Sequence, residues 1–492
     1  MKKIVPLLFL AFFGHTRLTA TPAESPVKKH VIMGTVFLDA NKNGIREKSE
    51  RTLKNISVSN GTTIVTSNKK GVFTLHSYTG QTIFPILPTG YISSHSSSKI
   101  ENTKFRYIDP AQMNPDTIIV DIPLIKEVQP SIFRIGAIGD VQVDTEEELS
   151  YASKSIFTEL TQREDLQFNL ILGDLVNDKM PLMPAVRAVM DKTNARYWTV
   201  LGNHDRNSES THLNDVFTRN MGADTYAFNY GGVHFIVLNN VFATGNRSYE
   251  GRVTADQLTF LAADLKRVSK HTTIVLSQHI PMAFTHNQKE VLALLEGYQK
   301  VLILTGHTHN VNRYFFDNEH IHELGAGATC GNWWRGEKDR DGVPDALMQC
   351  GTPRGYFTID FDKNDYHIRF KGVGLDAQHQ MRLMMDSTHL ILNVFGGSKY
   401  TDVQVQIDSS AWMPMQKTSR VDPLVGDTRN KNQSKVYPTA GNTRNPLGTK
   451  ESSHIWQMET PTAYKSKICR IRIHAKDRFG FAAEQEFMMH MP

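Results

Sequence analysis

Leu201-Gly202-Asn203-His204-Asp205 follows the run Arg196-Tyr197-Trp198-Thr199-Val200. That run is β-branched and aromatic and reads as a buried strand. The strand then stops at glycine and presents, in a row, an amide oxygen, an imidazole and a carboxylate able to orient the imidazole. A single strand end of this kind is ordinary, because Asx residues are common caps and turn formers. Four other apolar runs in the chain end in the same way, and together they give the stretch its meaning.

Arg134 to Gly139 runs into Asp140, with Gln142 two residues on. Phe168 to Gly173 runs into Asp174, Thr273 to Gln278 into His279, and Val301 to Gly306 into His307, with His309 two residues on. In layered α/β folds, sites collect at the carboxyl ends of the strands. Five such ends bring more oxygen and nitrogen donors to one edge than a tetrahedral zinc takes, and no thiolate is among them. A carboxylate bridging two ions accounts for the number. A pair of ions is the arrangement used for in-line phosphoryl displacement.

The surrounding residues, about 131–330, alternate strand-like and helix-like runs, which argues an α/β layered domain. A helix beginning near Asp144 carries the stripe Leu149, Ala152, Ile156, Phe157 and Leu160. Another, about 254–269, opens on a capping box of Thr254 and Gln257. Tyr226 to Leu238, broken by Gly231-Gly232, reads as a hairpin.

Both flanks read as all-β. Residues 28–125 hold short strands separated by turn signals and resemble the prealbumin-like or B-type repeat sandwiches. Within them Asp39, Asn41, Asn43 and Glu50, with Gly44 at the sixth place, have the spacing of a calcium loop. No helix pattern flanks that loop, and an Asx-bonded polar turn is the plainer alternative. Residues 388–492 alternate as a second sandwich of fibronectin or immunoglobulin type.

The chain has 492 residues, too many for one hydrophobic core, with 40% apolar and 21% charged residues, as suits a globular protein. Met1-Lys2-Lys3, the apolar run to Phe13 and the small residues near 20–23 have the pattern of a secretory signal peptide, residues 1–23. Lys2, Lys3 and Arg17 supply three of the five net positive charges, so the basic balance says little about polyanionic partners. No nucleic-acid-specific signal and no later transmembrane run is found. The expected location is outside the cytoplasm of a bacterium: periplasmic, at the cell surface or secreted. Three cysteines do not build a disulfide scaffold; Cys330 and Cys350 could pair or remain two buried thiols.

The order Asp140-x-Gln142, Gly173-Asp174, Gly202-Asn203-His204-Asp205, His279 and Gly306-His307-x-His309 resembles the calcineurin-like metallophosphoesterases. Gly331-Asn332-Trp333-Trp334, Gly351 to Tyr356, Val421-Asp422-Pro423 and Asp477 to Gly480 resemble its bacterial exported subgroup, which has a β-sandwich on either side. The resemblance implies an α/β (α+β) four-layer core over 131–375, with two central mixed sheets between helices. It implies one ion held by Asp140, Gln142, Asp174 and His309, and a second by Asp174, Asn203, His279 and His307. The ions are left open among Mn, Fe, Zn and Mg. His204 would be the proton donor, oriented by Asp205. Gln142 stands where the family usually has histidine, which points to a harder ion or weaker binding.

The expected activity is phosphoester hydrolysis by a metal-bound hydroxide, with a slight preference for diesters. A phosphomonoesterase of the same mechanism is the alternative, and a non-catalytic glycan-binding module around a degenerate core is the competing class. Trp333, Trp334, Arg335, Arg354 and Tyr356 are candidates to stack on or clamp a small-molecule, lipid or glycan substrate.

Overall fold

The computed structural model describes residues 27–94, 98–245, 247–363, 365–433 and 447–491. The expected signal peptide lies outside them. Two sheets face each other at the centre. The first runs in the order Arg196–Thr199, Leu166–Ile171, Ile132–Ile138, Gly355–Asp362, Asp365–Gly372; its first three strands are parallel and the last two antiparallel. The second runs Tyr226–Tyr230, Val233–Val237, Ile274–Ser277, Val301–Thr305, Ile321–Ala326, Val311–Phe316, with a parallel middle and antiparallel edges.

Period-two alternation decides which side each strand residue serves. Phe133, Ile135, Phe168, Leu170, Trp198 and Val200 point between the sheets, against Phe228, Phe235 and Ile303. Ile138, Ile171 and Tyr197 point the other way, against Ile156 and Phe157 and against Met183, Val186 and Phe217 of two outer helices. Helices Ala255–Leu265 and Gln288–Leu295 add Phe260, Leu261, Val291 and Leu295 to the core on the second sheet. The result is four layers, the expected fold class. Aromatic rings fill the middle: Trp198 stacks on Phe228 at 3.9 Å, and Phe228 on Phe235 at 4.9 Å. Each such ring removed from water stabilises the fold by roughly 1.5–3 kcal/mol.

The helix near Asp144 spans Glu146–Ala152, capped by Thr145, and continues through a wider turn to Thr161. The Thr254–Gln257 capping box forms, and its helix ends at Leu265, four residues before the expected end near 269. Residues 29–126 form a five-stranded and a four-stranded sheet, and residues 381–490 two four-stranded antiparallel sheets. The first pair is clamped to the core by a bidentate Arg219–Asp109 pair and by Ser98 and the Lys99 N–H on Asp191. Arg313, fully buried, pairs with Asp477 and so ties the last sandwich to the second central sheet. No helix among the described residues is long and apolar enough to cross a membrane.

The candidate calcium loop is a hydrogen-bonded turn in this structure. Asp39 accepts from the Asn43 and Gly44 N–H groups and from Ser94, and Glu50 from the Ala40 and Glu47 N–H groups. The two carboxylates are thus turned onto backbone donors. All three cysteines are buried free thiols.

Glu323, on Ile321–Ala326, is fully buried; one oxygen accepts from Met282 N–H and Thr305, and the other has no partner. Burial pushes its carboxyl up to about 7, from an ordinary 4.5. A raised carboxyl costs nothing below its unfolded value, and the cost grows as pH rises toward the folded one. Glu323→Gln is therefore expected to stabilise the fold by about 3 kcal/mol at pH 8 and by under about 1 kcal/mol at pH 5. Thermal unfolding at the two pH values checks it; an equal shift at both would contradict it.

Candidate metal centre

The carboxyl ends of three strands of the first sheet and two of the second meet at one place. Asp140 leaves Ile132–Ile138 and accepts the His307 N–H on both oxygens at 3.0 Å, which ties the two sheets together. Asp174 leaves Leu166–Ile171 and accepts the His204 N–H at 2.9 Å; its other oxygen lies 3.2 Å from His279 Nε2. Asn203 presents its amide oxygen 3.0 Å from the same nitrogen. Donor atoms of Asp174, His279 and His307 lie within 4.8 Å of one another. His309 Nε2 stands 3.7 Å from Asp140.

Close approach explains the glycines before the ligands. A Cβ on Gly202 would lie 2.1 Å from the Asp174 nitrogen, and one on Gly306 2.6 Å from an Asp140 oxygen. The backbone also turns into the left-handed region at Asp140, Gln142, Asp174, His307 and His309, with φ from 35° to 71°. Non-glycine residues in that region cost of order 1–3 kcal/mol each, and such residues gather at functional sites.

The donor chemistry fits divalent ions. His279 Nδ1 lies 2.7 Å from the Leu172 carbonyl and His309 Nδ1 2.8 Å from the Gly331 carbonyl. A carbonyl only accepts, so each Nδ1 carries a proton and each Nε2 faces the cluster, as in metal-binding histidines. Burial holds His307 down to about 3 and His309 to about 4, both neutral and able to ligate. Burial also raises Asp140 well above the ordinary range. His279 goes the other way: burial opposes its charge, but Asp174 outweighs it and lifts the ring to about 9. A proton on His279 Nε2 then stands where a cation between these donors would sit.

His204 and Asp205 divide differently from expectation. Asp205 is fully buried and accepts the N–H groups of Leu175, Val176 and Gly202 at 2.8–3.1 Å, so it pins two strand-end loops and does not orient the His204 ring. The carboxylate beside His204 is Asp178, 3.0 Å from Nδ1, although outside hydrogen-bond alignment. Burial lowers His204, yet Asp178 and the Asp174 charge outweigh it and hold the ring up, to about 9. Asp178, four residues after Asp174, was missed; a second carboxylate at that spacing was its only signal.

Gln142 is brought to the rim of the centre. Its N–H bonds the Asp174 carbonyl at 2.7 Å, its amide donates to Asn177, and its oxygen lies 4.0 Å from the Cys330 thiol. Of the candidate substrate residues, Trp333, Trp334 and Arg335 line a cleft of about 400 Å³ with Gln142 and His204. Trp333 stacks on His309 at 4.3 Å. The Trp334 indole is buried and donates to the Val141 carbonyl at 2.9 Å. Arg354 and Tyr356 do not reach the cleft. Arg354 is buried against Trp334 and donates to the Pro344 carbonyl; Tyr356 is a core residue between Glu159 and Arg163. They hold the 330–356 loop in place.

A family model described as calcineurin-like phosphoesterase matches residues 133–311, and one described as the C terminal of calcineurin-like phosphoesterase matches 323–482. The chain belongs to the calcineurin-like phosphoesterases. Similar solved structures include purple acid phosphatase PPD1 from yellow lupin (Lupinus luteus) seeds, at 13% identity and TM-score 0.35, covering 75% of this chain and 66% of that one. A predicted phosphoesterase from Streptococcus pneumoniae has 12% identity and TM-score 0.25, over 49% and 90%. A 5'-nucleotidase from Candida albicans has 14% identity and TM-score 0.27, over 41% and 46%. Among curated proteins, none matches the chain.

The role of Asp205 in this phosphoesterase is testable. Asp205→Ala strands three buried N–H groups and should lower stability by at least about 3 kcal/mol. A urea midpoint that barely moves would remove the pinning role.

Proposed function

We propose that the protein is an exported dinuclear phosphoester hydrolase that prefers diesters. One observation supports the diester preference above others. The cleft of about 400 Å³ holding Trp333 and Arg335 and a second of about 700 Å³ holding Arg206 and Tyr249 meet at His204, beside the cluster of donors. A monoester has one organic group to place, whereas a diester has two, one for each cleft. The leader-like first residues support export.

Asp140, Asp174 and His309 would hold one ion, with Gln142 at its edge; Asp174, Asn203, His279 and His307 would hold the other. When bound, such ions supply Lewis acidity at phosphoryl oxygens and acidify water. The chain does the rest. His204, kept protonated beside Asp178, donates its proton to the leaving oxygen. Asp205 fixes the loops that carry Asp174 and His204. Trp333 stacks on the His309 ring.

His204→Ala should lower kcat on a bis-aryl phosphodiester by roughly 10²–10⁴-fold with metal content kept. Asp178→Asn should lower it by about 10–100-fold. Steady-state kinetics in Mn²⁺, set against an aryl monoester, check both the donor and the ester class. Unchanged turnover in either variant would remove that residue's role, and faster monoester hydrolysis would reverse the preference.

A further inference from the structure

Arg206 follows directly on Gly202-Asn203-His204-Asp205. It is only 5% exposed, and its Nη2 is buried with no hydrogen-bond partner. The carboxylate that acts on it through space, Asp178, pairs with His204 instead. A buried guanidinium left unpaired is costly, and a ligand oxyanion matches its planar fork of donors.

Its position is equally specific. Arg206 borders the cleft of about 700 Å³ beside Asn203 and His204, where Lys179 and Arg247 stand against the acids Asp144, Asp178 and Glu209, with Tyr249 at one side. Tyr249 lies 6.1 Å from the His307 ring, so this cleft opens next to the donor cluster. Arg206 also borders a further cleft of about 440 Å³ that reaches Asn60, Gln81 and Tyr107 of the N-terminal sheets. Amide and hydroxyl side chains line that cleft together with the carboxylates of Asp215, Asp224 and Asp256, with Phe242 38% exposed at one side. Hydroxyl and amide walls with one open aromatic face suit a polyhydroxylated ring.

We propose that Arg206 binds a second anionic group of the substrate, away from the reacting phosphorus, and that a sugar-like, hydroxyl-rich moiety carries this group toward the N-terminal sheets. This rests on the hydrolase reading above. Arg206 acts as a specificity residue: it selects which phosphoester is held and takes no part in moving the proton.

The test uses full-length, Mn²⁺-loaded enzyme turning over a bis-aryl phosphodiester. Inhibition constants are measured for glucose 6-phosphate and glucose 1,6-bisphosphate, and their ratio is taken within each enzyme. The wild type should bind the bisphosphate at least about tenfold more tightly. Arg206→Gln should bring the ratio close to one, and Arg206→Lys should keep part of it. A wild-type ratio near one overturns the proposal without any variant, as does a ratio unchanged in Arg206→Gln. Failure of the hydrolase reading would appear separately, as no turnover of the aryl diester at all.

Discussion

The Asp174 carboxylate is the contact on which the rest of the centre depends. It takes the His204 N–H on one oxygen and faces His279 on the other, while its own carbonyl receives the Gln142 N–H. Three strand-end loops are therefore registered against one buried acid. Gly202 can be nothing larger, because Asp174 fills the space a side chain would take. Asp140 does the same work across the two sheets through His307. A buried pair of carboxylates is unfavourable alone, and the side chains that face it are imidazoles and an amide. Divalent cations are the natural complement to that set.

Such a centre is held by its surroundings. Five ligating or rim residues sit in left-handed backbone, and each would relax if its strand were free to shift. The stacked rings between the sheets and the buried Arg313–Asp477 pair prevent that shift. Hydrophobic packing far from the chemistry thereby maintains an arrangement that local preference would abandon.

Much of this was legible in the sequence for a physical reason. A parallel strand buried on both faces is a short apolar run, and its end is marked by glycine and a polar residue. The five strand ends could thus be named from residues alone. Side-chain direction could not. Asp205 is adjacent to His204 in the chain, yet successive residues at a tight turn point apart, and Asp178 from another loop is the one beside the ring. Trp333 and Trp334 look alike in sequence; one stacks on His309 and the other is buried against Val141. Tyr356 lies on a strand buried on both faces, with its ring in the helix-side core. Arg206 was overlooked because nothing in the sequence says that a surface-type residue has been buried with one guanidinium nitrogen unpartnered.

We propose that one cluster holds two ions across the Asp174 carboxylate. Anomalous diffraction from Mn²⁺-soaked crystals tests it most directly. The expected map has two manganese peaks, one on the Asp140–His309 side of Asp174 and one on the Asn203–His279–His307 side. A single peak, or peaks that leave Asp174 unshared, would contradict it.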